Sequence, residues 1–190
     1  NCEFELNKHI ALCGASGSGK STLMLNLLGI SSFSKEKVFF NPCLLDKKNN
    51  LRIGYLPQKN KLFSGTIKDN ILLKRIDPLL YKDKKIEKKI WECLALTKLD
   101  NVIRSLPNGL ETMVESSSGF LSGGQIQRLA ISRAILMEPK LLLMDEATSA
   151  LDLTLESEIL NNLNNLDMTI ISIAHRESAI DKSDYQIFIS

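Results

Sequence analysis

The chain has 190 residues, 44% of them hydrophobic, and a formal net charge of +2. That length and apolar content support one packed domain and exclude a disordered chain, while so small a charge offers no electrostatic argument for nucleic acid or an acidic membrane. Cys2, Cys13, Cys43 and Cys93 are scattered without a CxxC pair, which reads as reduced thiols of an intracellular protein, and no apolar run approaches the length of a membrane span.

Residues 2–6 alternate polar and apolar, and a short turn that includes His9 leads into a strand over 10–13. Then comes Gly14-Ala15-Ser16-Gly17-Ser18-Gly19-Lys20-Ser21, followed by Thr22 and an apolar helix. Three glycines so close together are costly unless the backbone must take positive φ or come very close to something. Between a strand and a helix, successive backbone N–H groups and the positive helix end converge on an anion. Lys20 strengthens this reading, because a cation in a first helical turn opposes the dipole unless an anion lies between them. The pattern predicts a phosphate cradle, with Lys20 on the β/γ-phosphates and Ser21 on Mg²⁺.

Further on, 38–40 is strand-like and 51–56 forms another short strand that ends at Pro57-Gln58. From the residues alone Gln58 reads as a solvated loop residue. Between 66 and 137 the pattern becomes helical: Ile86, Ile90, Cys93 and Leu94 fall on one face, and lysines 82, 84, 85, 88 and 89 lie mostly off it. Those lysines read as solvated surface rather than a nucleic-acid patch. A second short helix containing Val102 and Ile103 stops at Pro107-Asn108-Gly109.

Leu121-Ser122-Gly123-Gly124-Gln125 repeats the logic of the first loop, with an N-cap serine and two glycines before a helix over 125–137. A second anion-ready helix start suggests a surface that meets another molecule's nucleotide. After Pro139, the apolar run 141–144 fits a strand buried on both faces, with Asp145 and Glu146 at its carboxyl end, the edge where open α/β sheets bind ligands. There Asp145 can hold Mg²⁺ through water and Glu146 can polarise an attacking water. Asp152 is placed to cap a helix over 154–166, 169–174 forms a last buried strand with His175 at its end, and 186–189 begins one more.

With these stretches in place, the chain resembles the nucleotide-binding domain of an ABC transporter over nearly its whole length. GASGSGKS at 14–21 is similar to the Walker A motif, Gln58 to the Q-loop glutamine and LSGGQ at 121–125 to the family signature. LLLMDE at 141–146 resembles Walker B, SALD at 149–152 the D-loop and His175 the switch histidine. LFSGTIKDNI at 62–71 and LPNGLET at 106–112 look most like exporters whose ATPase follows a membrane domain in one polypeptide, and the leading expectation is an exporter of peptides or bacteriocins. Around 115–119 and at Ile126 the chain departs from the usual exporter pattern.

The resemblance implies an α/β P-loop NTPase core of mainly parallel sheet flanked by helices, with a small antiparallel part and an inserted helical lobe. The core lobe would be 1–65 and 139–190 and the helical lobe 66–138, with N- and C-terminal parts of the family domain lying outside this chain. It implies ATP and Mg²⁺ as ligands. Ser16 to Thr22 and Lys20 would bind phosphates, Ser21, Gln58 and Asp145 would serve Mg²⁺, and Glu146 and His175 would act on the γ-phosphate. Ser122, Gly123, Gly124, Gln125 and Asp152 would close the site of a second nucleotide-binding domain in a head-to-tail pair. It further implies a transmembrane domain fused upstream and a place on the cytoplasmic face of the membrane. The alternative is a soluble ABC-type switch acting on nucleic acid or the ribosome.

Overall fold

Three runs with almost no polar interruption build the centre of the molecule. A computed structural model of the chain describes residues 5–29, 39–40, 43–44, 52–73, 83–115, 119–174 and 176–189. Within it, β1 (His9–Cys13) and β7 (Leu141–Asp145) are buried at every position, and β8 (Thr169–Ile173) at all but Ile171. Runs buried on both faces belong to a parallel sheet covered by helices, and these strands lie in one. Its order is β4-β7-β8-β1-β9, with β4 at Ile53–Leu56 and β9 at Tyr185–Phe188, and every pairing is parallel. Two antiparallel pairs complete the strands. One joins β2 (Phe39–Phe40) to β3 (Cys43–Leu44), and the other joins β5 (Gly65–Thr66) to β6 (Met113–Val114). The expected α/β architecture with a small antiparallel part is the observed one.

The pair β5–β6 brings the two ends of the helical stretch together. Between them lie α2 (Ile67–Leu72), α3 (Lys84–Leu96), α4 (Asp100–Arg104) and a 3-10 turn at Gly109–Glu111. Thr66 and Asp69 form a reciprocal capping box at the start of α2, and Asp83 caps α3. Ile67, Ile71, Ile90, Leu94, Leu99 and Ile103 make a core of their own. Full burial of one such side chain contributes about 1.5–3 kcal/mol. Lysines 84, 85, 88 and 89 are exposed, with Lys89 donating to Glu138 at 2.6 Å, and Lys82 lies outside the described residues.

The long helix α5 (Gly123–Leu136) belongs to both parts. Leu129 packs into the helical core, whereas Ala130, Ile131 and Ile135 pack with Leu142, Met144 and Ile159 against the sheet. Helix α6 (Leu153–Asn164) covers the same sheet face through Ile159, Leu160 and Leu163, and the short α7 (Glu177–Ile180) adds Ala179. Helix α1 (Lys20–Leu27) covers the other face, where Met24 meets Ile10, Leu12, Leu141 and Leu143.

His9 does not sit in a turn. It opens β1, is 2% exposed, and lies with Nε2 2.8 Å from Ser172 Oγ on β8. Its backbone N–H donates to Asp184 Oδ2 at 2.8 Å, so pairing on both sides of β1 draws it inward. Cys13 and Cys93 are buried free thiols, as expected; Cys2 lies outside the described residues.

Candidate functional site

The carboxyl ends of β4, β7 and β1 place the sequence motifs. Because β4 and β7 are parallel with Leu56 opposite Met144, residues at equal offsets beyond those positions emerge abreast. Gln58 and Glu146 are each two residues further on, and Gln58 Nε2 donates to Glu146 Oε2 at 2.7 Å. Gln58 is exposed in the loop after β4, as its residues suggest, and this bond gives it a partner. The two partners lie 88 positions apart in sequence, and only the register of the sheet brings them together. Strand β8 separates β7 from β1, with Ile173 opposite both Asp145 and Leu12. Two inter-strand steps make about 10 Å between the strand that leads into the loop and the strand that ends in Asp145 and Glu146.

That loop turns through Ser18 N–H to Ala15 C=O at 3.2 Å, and Gly17 and Gly19 have φ of 83° and 94°. Nothing lies within 4 Å of where a Cβ would stand on either glycine, so the loop is open on that side. Gly14 is different. A Cβ there would stand 2.2 Å from Ile189 O, so its missing side chain makes room for the end of β9. Ala15, Ser16 and Gly17 form the exposed rim, as do Ser21 and Thr22 at the start of α1, while Lys20 is 6% exposed. The Lys20 ammonium spans the loop, donating to Gly14 O at 2.9 Å and Ala15 O at 2.7 Å.

Asp145 is buried at the end of β7, and burial with the nearby Asp145 charge raises the pKa of the Tyr55 phenol on β4. Glu146 has φ of 50°, in the left-handed region that costs a non-glycine residue about 1–2 kcal/mol. Observed strain of this sort marks positions whose direction matters. Cys13, immediately before the loop, is pushed up in pKa by burial, with Lys20 opposing. Among the described residues no group of three or more His, Cys, Asp or Glu side chains could hold a metal by itself. The oxygens at this edge include the Ser21 hydroxyl, the Gln58 amide and the Asp145 and Glu146 carboxylates. Oxygen donors with one or two carboxylates suit Mg²⁺ that also binds substrate phosphates.

The second anion-ready helix start is built as expected. Ser122 Oγ accepts from Gln125 N–H at 3.3 Å, and Gln125 Oε1 accepts from Ser122 N–H at 2.8 Å. Gly124 passes close to the turn after β7, since a Cβ on it would stand 3.0 Å from Ala150 O. No hydrogen bond among the described residues joins Ser122–Gln125 to Lys20 or Gln58. Asp152 caps α6, accepting from Leu155 N–H at 2.9 Å. His175 lies outside the described residues.

The sequence motifs omit one connected set: Gln127 on α5, Glu156 on α6, and Arg176, all bonded to the turn 147–151 or to one another. A signal for Glu156 was available, since it precedes Ile159 and Leu160 by three and four residues and so falls on the apolar face of its helix.

A family model described as ABC transporter matches residues 1–149. The chain is 38% identical over 193 residues to the ATP-dependent permease MDL1 of Candida albicans, covering 97% of this chain and 27% of that protein. It is likewise 38% identical to the lactococcin-A transport/processing ATP-binding protein LcnC of Lactococcus lactis, covering 93% of this chain and 24% of that one. A solved bacterial Atm1-family ABC exporter with ATP bound superposes with a TM-score of 0.83 at 30% identity, covering 97% of this chain and 32% of the other. The chain therefore spans about a quarter to a third of the proteins it matches. A family match over most of the chain, on a fold that carries both loop motifs at the expected positions, shows that this chain belongs to the ABC transporter family as one of its ATP-binding domains.

Proposed function

We propose that this chain is the ATP-hydrolysing motor of an ABC exporter. The observation that carries the reading is the 2.7 Å hydrogen bond between Gln58 and Glu146, on the same sheet edge as the Lys20 loop. The N–H groups around Gly17 and Gly19 and the Lys20 ammonium hold the phosphates of ATP. Ser21, Gln58 and, through water, Asp145 would hold Mg²⁺, which would neutralise phosphate charge when bound. Glu146 orients a water and accepts its proton while the water oxygen bonds to the γ-phosphorus. The bond from that phosphorus to the bridging oxygen breaks, leaving ADP and inorganic phosphate. Gln58 fixes the direction of the Glu146 carboxylate, and His175 contacts the γ-phosphate.

Ser122, Gly123, Gly124 and Gln125 serve the nucleotide of a second such domain, with Asp152 beside them, in a head-to-tail pair closed by ATP. That pairing accounts for two separate anion-ready helix starts in one chain. The core lobe 1–65 and 139–190 carries the first set and the helical lobe 66–138 most of the second. Closure acts on a transmembrane domain, which places the chain on the cytoplasmic face of a membrane. The likeness to a lactococcin transporter supports a peptide cargo. No helix among the described residues is long and apolar enough to cross a membrane, in keeping with the crossing being made by another part of the machine.

The test is Mg²⁺-dependent ATP hydrolysis across a range of protein concentrations. Specific activity that rises with concentration and vanishes in Glu146→Gln supports the paired site. Undiminished turnover in Glu146→Gln would overturn the role given to that carboxylate.

A further inference from the structure

The turn 147–151, between β7 and α6, is held from three sides. From α5, Gln127 Nε2 donates to Ser149 Oγ at 3.2 Å, and Gln127 Oε1 accepts from Ala150 N–H at 2.9 Å. From the segment after β8, the Arg176 guanidinium forks to Leu151 O and Ser149 O, each at 2.7 Å. From α6, Glu156 Oε1 accepts from Thr148 Oγ1 at 2.5 Å. Glu156 is 1% exposed; its Oε2 accepts from Ser178 Oγ at 3.0 Å and lies 3.6 Å from Arg176 Nη1.

A carboxylate so deeply buried is poor economy for packing alone, since an apolar side chain of similar volume often stabilises as well or better. What it adds is direction. Glu156 receives one hydroxyl from the turn, another from α7 and a guanidinium whose remaining donors return to the turn. These bonds fix the turn to the segment next to His175, while Gln127 fixes it to α5 two residues beyond Ser122–Gln125.

We propose that Glu156 and Arg176 are positioning residues that hold the turn 147–151 as a rigid link between the strained Glu146 and the start of α5. The inference rests on the ATPase reading for its catalytic consequence. If the link fails, ATP still binds, because the Lys20 loop is anchored to β1 and α1, but Glu146 is no longer held in its reacting direction. A misplacement of about 1 Å lowers a rate by about a hundredfold at the upper end.

The experiment compares the wild-type chain with Arg176→Ala and Arg176→Lys. The second keeps a cation beside Glu156 but cannot fork across two carbonyls. The expected result is a kcat lowered about ten- to a hundredfold in both variants, with the Kd for ATP within about twofold of wild type. Amide hydrogen exchange provides the readout independent of turnover: it should rise at 147–151 and 123–127 while β1 and β8 keep their protection. Exchange that rises only at 176–180, or kcat and ATP affinity that fall together with thermal stability, overturns the link. A wild-type chain that never hydrolyses ATP sinks the motor reading instead, and the exchange pattern still decides whether the link exists.

Discussion

Two glycines of the same loop should fail in opposite ways. In Gly14→Ala the new Cβ would stand 2.2 Å from the backbone oxygen of Ile189, at a φ of 145° that an L side chain rarely adopts. The contact is backbone, so relief requires the end of β9 to move and breaks the 2.8 Å bond from Ile189 N–H to Cys13 O. Strain of about 1–2 kcal/mol and a lost hydrogen bond of about 1 kcal/mol give about 2–3 kcal/mol before any repacking. In a domain of this size each kcal/mol lowers Tm by about 2–4 °C, so a fall of about 4–12 °C is expected. Gly17→Ala meets nothing within 4 Å, and its cost to stability is only the backbone strain at φ 83°, about 1 kcal/mol. Its cost to binding is larger. Displacing one charge-assisted N–H bond to a phosphate loses about 1.5–3 kcal/mol, or about 10- to 150-fold in Kd. Thermal unfolding by circular dichroism, paired with titration of a fluorescent ATP analogue, separates the two. A Gly17→Ala protein that binds ATP at wild-type strength, or that loses as much Tm as Gly14→Ala, would refute the assignment of the open face of the loop to phosphate.

Glu146→Gln should keep ATP binding, accumulate an ATP-bound dimer in sedimentation and lose turnover by about 10²- to 10⁴-fold. Lys20→Ala, which removes the buried ammonium beside Gly14 O and Ala15 O, should abolish measurable ATP binding in the same titration. Burial lowers the pKa of His9 below its usual value near 6.5. The unfolded chain then takes up a proton first as pH falls, so this contribution is intact above about pH 6.5 and is lost below it at up to about 1.4 kcal/mol per pH unit, until the folded pKa is reached. Urea unfolding at stepped pH should show that slope and His9→Gln should lack it; an equal slope in both proteins would contradict the burial argument. Ile90→Ala, at a fully buried position of the helical core, should cost about 2–5 kcal/mol in the same urea experiment.

What could be read in advance was local. The phosphate loop, the Ser122 cap and the Asp152 cap each draw their meaning from residues within a few positions, and all three formed as the residues required. Strand β7 was equally legible, because an uninterrupted apolar run ending in two acids has few other places to go. Helices α5 and α6 begin at Gly123 and Leu153, directly after their caps and one or two residues before the starts expected at 125 and 154. His9 reads as a turn residue because it is polar and follows Asn7-Lys8, and only strand register supplies its partners Ser172 and Asp184. Gln58 is exposed in its loop, as its residues suggest, and register adds Glu146 as a partner that the local sequence does not show. The two-residue strands β5 and β6 carry no pattern of their own. They exist because the helical stretch between them must begin and end at one place.

The order of the sheet is the step that turns these local motifs into a site. Strand β1 leads to β4 at the far edge, and the chain then fills inward through β7 and β8 before β9 closes against the other side of β1. With β8 between β7 and β1, the strands that carry the Lys20 loop and Glu146 lie about 10 Å apart rather than side by side. Had β7 been adjacent to β1, the Lys20 ammonium would stand close enough to the Asp145 and Glu146 carboxylates to neutralise them. A direct ion pair would then compete with the phosphates for the lysine and with a water for the glutamate. The intervening strand sets the strand of the lysine loop apart from the strand of the carboxylates, while the parallel register of β4 and β7 gives Glu146 a neutral partner, Gln58, to hold its direction.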